Sequence, residues 1–254
     1  METRTQTKET EGREAGVAEL ERTLPSAPGE YLAGAIENPR LTAELVVLIL
    51  RNRSAGTETL RRIASEPKWT RSYEVKRGLV KHPHTPNAIA LNLVKFLFWK
   101  DLADTADDAF VFPPLRRRAE NLLAERLPEM ALGEKITFSR VAGRGLIPRL
   151  LEETHPLVLE GTLWNGRVTT SDVLAAASRP TSRPEILEAI SRHPRWSSRR
   201  DVRLALLRNP RTPTPVSLGL LGGASPEELR SVAELPTTPR IVRLACVRLL
   251  SRKP

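Results

Sequence analysis

Two stretches decide how this chain is read: EPKWTRSYEVKRGLVKHPHTP (Glu66–Pro86) and HPRWSSRRDVRLALLRNPRTP (His193–Pro213). Both write P-[KR]-W-[TS], then an apolar ladder, then P-x-T-P, and they lie 127 residues apart. Sliding the whole chain by 127 aligns about 70 positions without a gap, and a repeat of that kind is the first thing to look for in a sequence. Identical pairs include Leu32/Leu159, Gly34/Gly161, Asn38/Asn165, Thr42/Thr169, Trp69/Trp196, Leu79/Leu206, Thr85/Thr212 and Leu102/Leu229. The spacing reads as an internal duplication.

A shorter period runs inside each half. Corners recur every 14 to 16 residues: NPRLT at Asn38, NRSAGT at Asn52, EPKWT at Glu66 and HPHTP at His82. The second half gives NGRVT at Asn165, RPTS at Arg179, HPRWS at His193 and NPRTP at Asn209. Between them, apolar residues fall at helical i, i+3, i+4 spacing. At each corner Asn, His or Gly ends a helix and the following Pro cannot continue it. Two residues later a Thr or Ser is placed to cap the next helix. A Pro beside that cap, as in Thr85-Pro86, Thr212-Pro213, Ser225-Pro226 and Thr238-Pro239, takes the first helical position, where no N–H is needed.

Helices this short do not stand alone, so each must bury its apolar stripe on its neighbours, as in a solenoid. The expected fold is all-α: an α-solenoid of short antiparallel helix pairs, internally duplicated with the 127-residue offset, with about twelve to sixteen helices and no sheet. The expected division is 1–27 as a capping or disordered segment, its first ten or so residues disordered, and 28–123 as the first half. Residues 124–157 form a middle segment continuing the stack, and 158–254 the second half.

The N-P-x-[LT]-[TP]-x-x-h-L corner, in NPRLTAELVVLILRN and NPRTPTPVSLGLL, resembles HEAT-like repeats and those of bacterial leucine-rich repeat variant proteins. The resemblance covers most of residues 30–250 and implies an interaction scaffold, since these families serve mainly to bind other proteins. Some leucine-rich repeat variant proteins carry an iron–sulfur cluster on several cysteines; Cys246 alone cannot supply one. HEAT-like DNA glycosylases are also basic helical solenoids that use Trp, Asp and Arg. Here Asp201 follows Trp196 by five residues and Glu74 follows Trp69 by five, spacings too generic to transfer a catalytic role.

Composition narrows the function classes. Of 254 residues 40% are apolar and 4% aromatic, so the core is built from Leu, Ile, Val and Ala. A single cysteine excludes an intramolecular disulfide and a CxxC zinc site, and Cys246 reads as a small buried apolar residue. The opening METRTQTKETEGRE has no apolar leader, and LVVLIL (Leu45–Leu50) is too short to cross a bilayer, so a cytoplasmic protein without membrane contact is expected. The net charge of +10 is uneven: residues 1–30 carry seven acids and four bases, whereas residues 190–254 carry 13 bases and four acids. A basic end of that kind attracts nucleic acid or an acidic partner. Of the 40 bases 32 are Arg, a ratio that a GC-rich genome also produces.

The candidate binding surface follows from the repeated phrase: Lys68, Trp69, Lys76 and Lys81 in the first half, and Arg195, Trp196, Arg203 and Arg208 in the second. Lys68/Arg195, Lys76/Arg203 and Lys81/Arg208 keep their charge at the 127-residue offset and would project as a ridge toward phosphates or acidic helices. A Trp beside cations can stack a base; equally, it can sit before a helix cap and pack onto the helix it introduces, as Leu41 and Val168 do by position. His82 and His84 lack an acid or Cys at metal-ligand spacing, and no G-x-S-x-G, H-E-x-x-H or phosphate-binding glycine loop occurs. The expected function is therefore a non-catalytic scaffold for a protein partner, with no cofactor or metal. The alternative is nucleic-acid binding on the basic C-terminal half, in a role related to DNA repair.

Overall fold

The computed structural model describes residues 2–251, with side chains from residue 5, and among these residues every regular element is helical and no strand occurs. The chain divides into two compact units, Met1–Arg126 and Leu127–Pro254. The first contains α1 (Glu2–Glu14), α2 (Val17–Thr23), α3 (Gly29–Ala35), α4 (Ala43–Arg51), α5 (Thr57–Ser65), α6 (Pro67–Thr70), α7 (Tyr73–Lys81), α8 (Asn87–Leu93), α9 (Trp99–Asp107) and α10 (Pro113–Arg126). The second contains α11 (Leu132–Val141), α12 (Ile147–Leu150), α13 (Pro156–Trp164), α14 (Thr170–Ser178), α15 (Pro184–Arg192), α16 (Pro194–Ser197), α17 (Arg200–Arg208), α18 (Thr214–Leu221), α19 (Pro226–Glu234) and α20 (Arg240–Leu250).

These twenty helices among the described residues exceed the twelve to sixteen expected, because some corners are themselves helical: α6, α12 and α16 are single turns of four residues. The disorder expected for the first ten residues is corrected from Glu2 onward, since α1 is a helix docked on α3; Met1 lies outside the described residues. The docking needs glycine. A Cβ on Gly34 would overlap the Glu9 carbonyl, and one on Gly12 would overlap the Tyr31 carbonyl, so the two helices meet backbone to backbone. Gly161, the partner of Gly34 in the sequence offset, is equally crowded against Ser139 where α13 crosses α11.

Each helix buries the stripe that its spacing foretells: Leu45, Val46, Ile49 and Leu50 on α4, Val75, Leu79 and Val80 on α7, Val202, Leu206 and Leu207 on α17. The polar corners are buried too, and their side chains bridge helix ends. Asn38 Nδ2 donates to the carbonyls of Gly12 (3.1 Å) and Ala15 (2.9 Å), while its Oδ1 accepts from the Arg40 N–H. Asn52 does the same to Leu24 and Ala27, Asn165 to Ser139 and Ala142, and Asn209 to Ala177 and Arg179. One amide thus satisfies carbonyls at the end of an earlier helix and ties its own turn. His82 takes the same role. Its Nδ1 accepts from the His84 N–H, which leaves Nε2–H to donate to the Asn52 carbonyl at 3.2 Å.

The Thr-Pro corners differ from expectation. Ser225 does cap α19 with Pro226 at the first helical position, but Pro86, Pro213 and Pro239 are themselves the residues before α8, α18 and α20. At two of these corners the preceding hydroxyl turns backward: Thr212 donates to the Leu206 carbonyl (2.6 Å) and Thr238 to that of Val232 (2.8 Å). It closes the end of one helix instead of opening the next, because a proline-fixed φ already sets the entry to the following helix.

Two outcomes test this packing. Asn52→Ala strands the Leu24 and Ala27 carbonyls in the core and is expected to cost about 2–3 kcal/mol in urea unfolding, a typical penalty for unsatisfied buried groups. Gly34→Ala is expected to undock α1, seen as fast amide exchange across α1 while α4 and α7 stay protected.

Candidate functional site

The eight residues singled out by the repeated phrase fall into two local groups, one in each unit. In the first, Trp69 is 3% exposed and Lys68 Nζ lies 4.5 Å from its ring centroid. In the second, Trp196 is fully buried, its Nε1–H donates to the Leu163 carbonyl at 3.1 Å, and the Arg195 guanidinium covers its ring at 4.3 Å. Neither indole can stack a base or ligand, and that reading of Trp69 and Trp196 is corrected. Nor do they sit directly before the helix cap; each lies inside a one-turn helix, α6 or α16, three residues before the cap of the next helix.

The cationic columns are engaged within the protein. Lys81 Nζ binds Asp101 Oδ1 (3.0 Å) and Asp104 Oδ2 (3.2 Å). Arg77 Nε reaches the same Asp101 oxygen at 2.7 Å, and the Tyr73 hydroxyl donates to Oδ2 at 2.5 Å. Burial alone would raise the Asp101 pKa, but the hydrogen bonds from Tyr73 and Lys81, with the charges of Lys81 and Arg77, hold it below the usual carboxylate value. Tyr73 is pushed up to about 12, first by desolvation and then by its bond to Asp101. The second unit places Glu228 at the offset position of Asp101, and Arg200 Nε binds it at 2.7 Å. Arg203 donates to the Ser198 carbonyl and Arg208 to the Ser231 hydroxyl. Of the candidates, Lys76 alone reaches an exposed aromatic: its Nζ is 4.9 Å from the Phe96 ring.

Phe96 belongs to a patch that the corners and apolar stripes of the sequence do not single out. Phe96 is 50% exposed and Phe98 65%, while Leu97 between them is buried. The segment is held from behind. The Arg126 guanidinium donates to the carbonyls of Leu97 (2.6 Å) and Lys95 (2.5 Å), and the Phe98 N–H donates to the Tyr73 hydroxyl, whose ring lies 4.3 Å from that of Phe98. Lys95 and Lys76 flank Phe96, and Lys100 lies over the Trp99 ring at 5.5 Å. The signal was present in the sequence: two aromatics at a spacing of two, in a chain with only five Phe, where a helix would space them by three or four.

No family model, no curated protein and no solved structure matches the chain. Function must be argued from the sites alone. His82 and His84 are absorbed by the corner, their rings directed to the Asn52 and Ala55 carbonyls, and no group of His, Cys, Asp or Glu among the described residues could hold a metal ion. Cys246 is fully buried, which raises its pKa. No helix among the described residues is long and apolar enough to cross a membrane.

Burial also lowers the pKa of His82 and His193 below the ordinary 6.5; the Asn52 carbonyl opposes this at His82, and at His193 the Arg195 charge adds to it while Glu160 opposes. Each ring is neutral when folded and protonates more readily when unfolded, so its stabilisation is complete above pH 6.5 and is lost as pH falls through the lowered folded value. Unfolding free energy is expected to drop as pH falls below 6.5, with a shallower drop in His82→Asn, which keeps a bridging side chain at this corner but removes the titrating group.

Proposed function

We propose that the chain is an internally duplicated α-solenoid of HEAT-like or leucine-rich repeat variant type that works as a non-catalytic scaffold for a protein partner. Three features support the fold reading: the corner amides that bridge to carbonyls 23 to 32 residues upstream, the crowded glycines at 34 and 161, and the carboxylates at 101 and 228. The binding reading is carried by the Phe96–Phe98 patch. Two large apolar side chains are held outward on a segment pinned by Arg126 and Tyr73, so a partner meets them already ordered. Exposed, preorganised aromatics of this kind make interface hot spots.

Nucleic acid is the second reading, favoured by Lys76, Lys95 and Lys100 around the patch. Against it, Lys76 and Lys95 already lie about 5 Å from the Phe96 ring, and Asp101, Asp104 and Glu74 neutralise Lys81 and Arg77 nearby. A polyanion would have to displace the first and approach the second. A protein segment that packs apolar side chains on Phe96 and Phe98 faces neither demand.

The paired substitution Phe96→Ala and Phe98→Ala changes exposed groups only and is expected to leave the circular dichroism unchanged. It should reduce recovery of a stoichiometric protein partner from a cell extract by about tenfold or more, the scale of a hot-spot loss. Retention of single-stranded DNA that weakens steeply with salt, lost with Lys76→Glu and Lys95→Glu while no protein partner is recovered, would replace this reading with the second one.

A further inference from the structure

The second unit contains a cleft of about 360 Å³ between α13 and α15 whose chemistry is opposite to that of the chain as a whole. Glu160 and Trp164 face it from α13, Glu185, Glu188 and Arg192 from α15, and His193 from the corner that follows. Three carboxylates and one guanidinium give it a net negative charge in a chain of net charge +10. Trp164 is 57% exposed, and its ring centroid lies 4.4 Å from that of His193.

His193 marks the cleft as more than a cluster of acids. It is 4% exposed, and neither ring nitrogen has a hydrogen-bond partner among the described residues. At Asn38, Asn52, His82, Asn165 and Asn209 the buried corner side chain bridges to an earlier helix end. At His193 that structural task is given up, and a buried polar ring with two unpaired nitrogens lies beneath an exposed indole. Leaving such a group unpaired is costly, and a site for a ligand is one reason to retain it.

We propose that this cleft binds the side chain of an arginine presented by a peptide. A guanidinium is planar, stacks on an indole face and engages carboxylates through paired N–H donors. The chain's own Arg192 shows the fit, since its Nη2 meets Glu188 Oε1 at 2.5 Å. Glu160 and Glu185 hold no ion pair among the described residues and remain for an incoming cation. A cleft near the lower end of the usual ligand-site range suits a single side chain. The positive charge of the rest of the chain repels basic peptides generally, so one that binds is directed to the acidic cleft. This inference does not rest on the aromatic patch of the first unit and stands or falls separately.

The test uses the full chain and follows the Trp164 indole N–H by NMR, assigned by its loss in Trp164→Phe. The probes are acetyl-Gly-Arg-Gly-amide and its citrulline counterpart, which has the same shape without the charge. The arginine peptide is expected to shift the Trp164 resonance and to bind about tenfold or more tightly than the citrulline peptide, with that preference lost in the Glu160→Gln, Glu185→Gln double variant. Both glutamates are exposed, and the Trp196 indole, bonded to Leu163, reports in the same spectrum that the local fold is intact. Equal binding of the two peptides, undiminished binding of the arginine peptide by the double variant, or an unmoved Trp164 resonance would each overturn the proposal.

Discussion

The structure depends on a buried amide. Helices of seven to nine residues leave most of their end carbonyls without an intrahelical partner, and a fold made of many such helices has many ends to satisfy. Asn38, Asn52, Asn165 and Asn209 solve this with one side chain each, donating both amide hydrogens to an earlier helix end and accepting one hydrogen from their own turn. The geometry leaves little tolerance. Aspartate has no donors, glutamine places its amide one carbon farther out, and histidine keeps only one bridging bond, as at His82.

The same economy governs the charged groups. Formal charge makes the chain look like a polyanion binder, yet the cations at repeated positions are largely committed inside it. Asp101 draws in Tyr73, Arg77 and Lys81 together, and Glu228 holds Arg200. A basic side chain that answers a buried carboxylate offers little to an external phosphate, so net charge overstates the electrostatic reach of the surface. Two surfaces stand apart from this commitment: the aromatic pair held outward in one unit and the acidic cleft beneath an exposed tryptophan in the other.

Much of the fold was legible in the sequence because corner chemistry and apolar spacing are local. The stripes on α4, α7 and α17 could be read from their spacing, and Leu41 and Val168 are buried at the corner positions assigned to packing residues. What escaped was non-local. Nothing around Thr212 says that its hydroxyl turns back to Leu206 instead of capping α18, since both routes use the same residue. The burial of Trp69 and Trp196 depends on neighbouring helices, and a Trp next to a cation looks the same in sequence whether its face is open or covered. The cleft was invisible for the same reason: Trp164 and His193 lie 29 residues apart and meet only because α13 and α15 pack side by side.

The corner bridges of the first unit reach back past the preceding helix, by two helices at Asn38 and Asn52 and by three at His82, where the one-turn α6 intervenes. Asn38, closing α3, ties to the end of α1; Asn52, closing α4, ties to the end of α2; His82, closing α7, ties to the end of α4. The connections therefore form two interleaved threads, one running α1–α3 and the other α2–α4–α7, joined by helix packing and chain continuity but sharing no bridging side chain. The two threads overlap only over α2 and α3, and there a break in one leaves the other intact. At that end of the unit, helices too short to persist singly can lose one corner bridge and still be tied by the other.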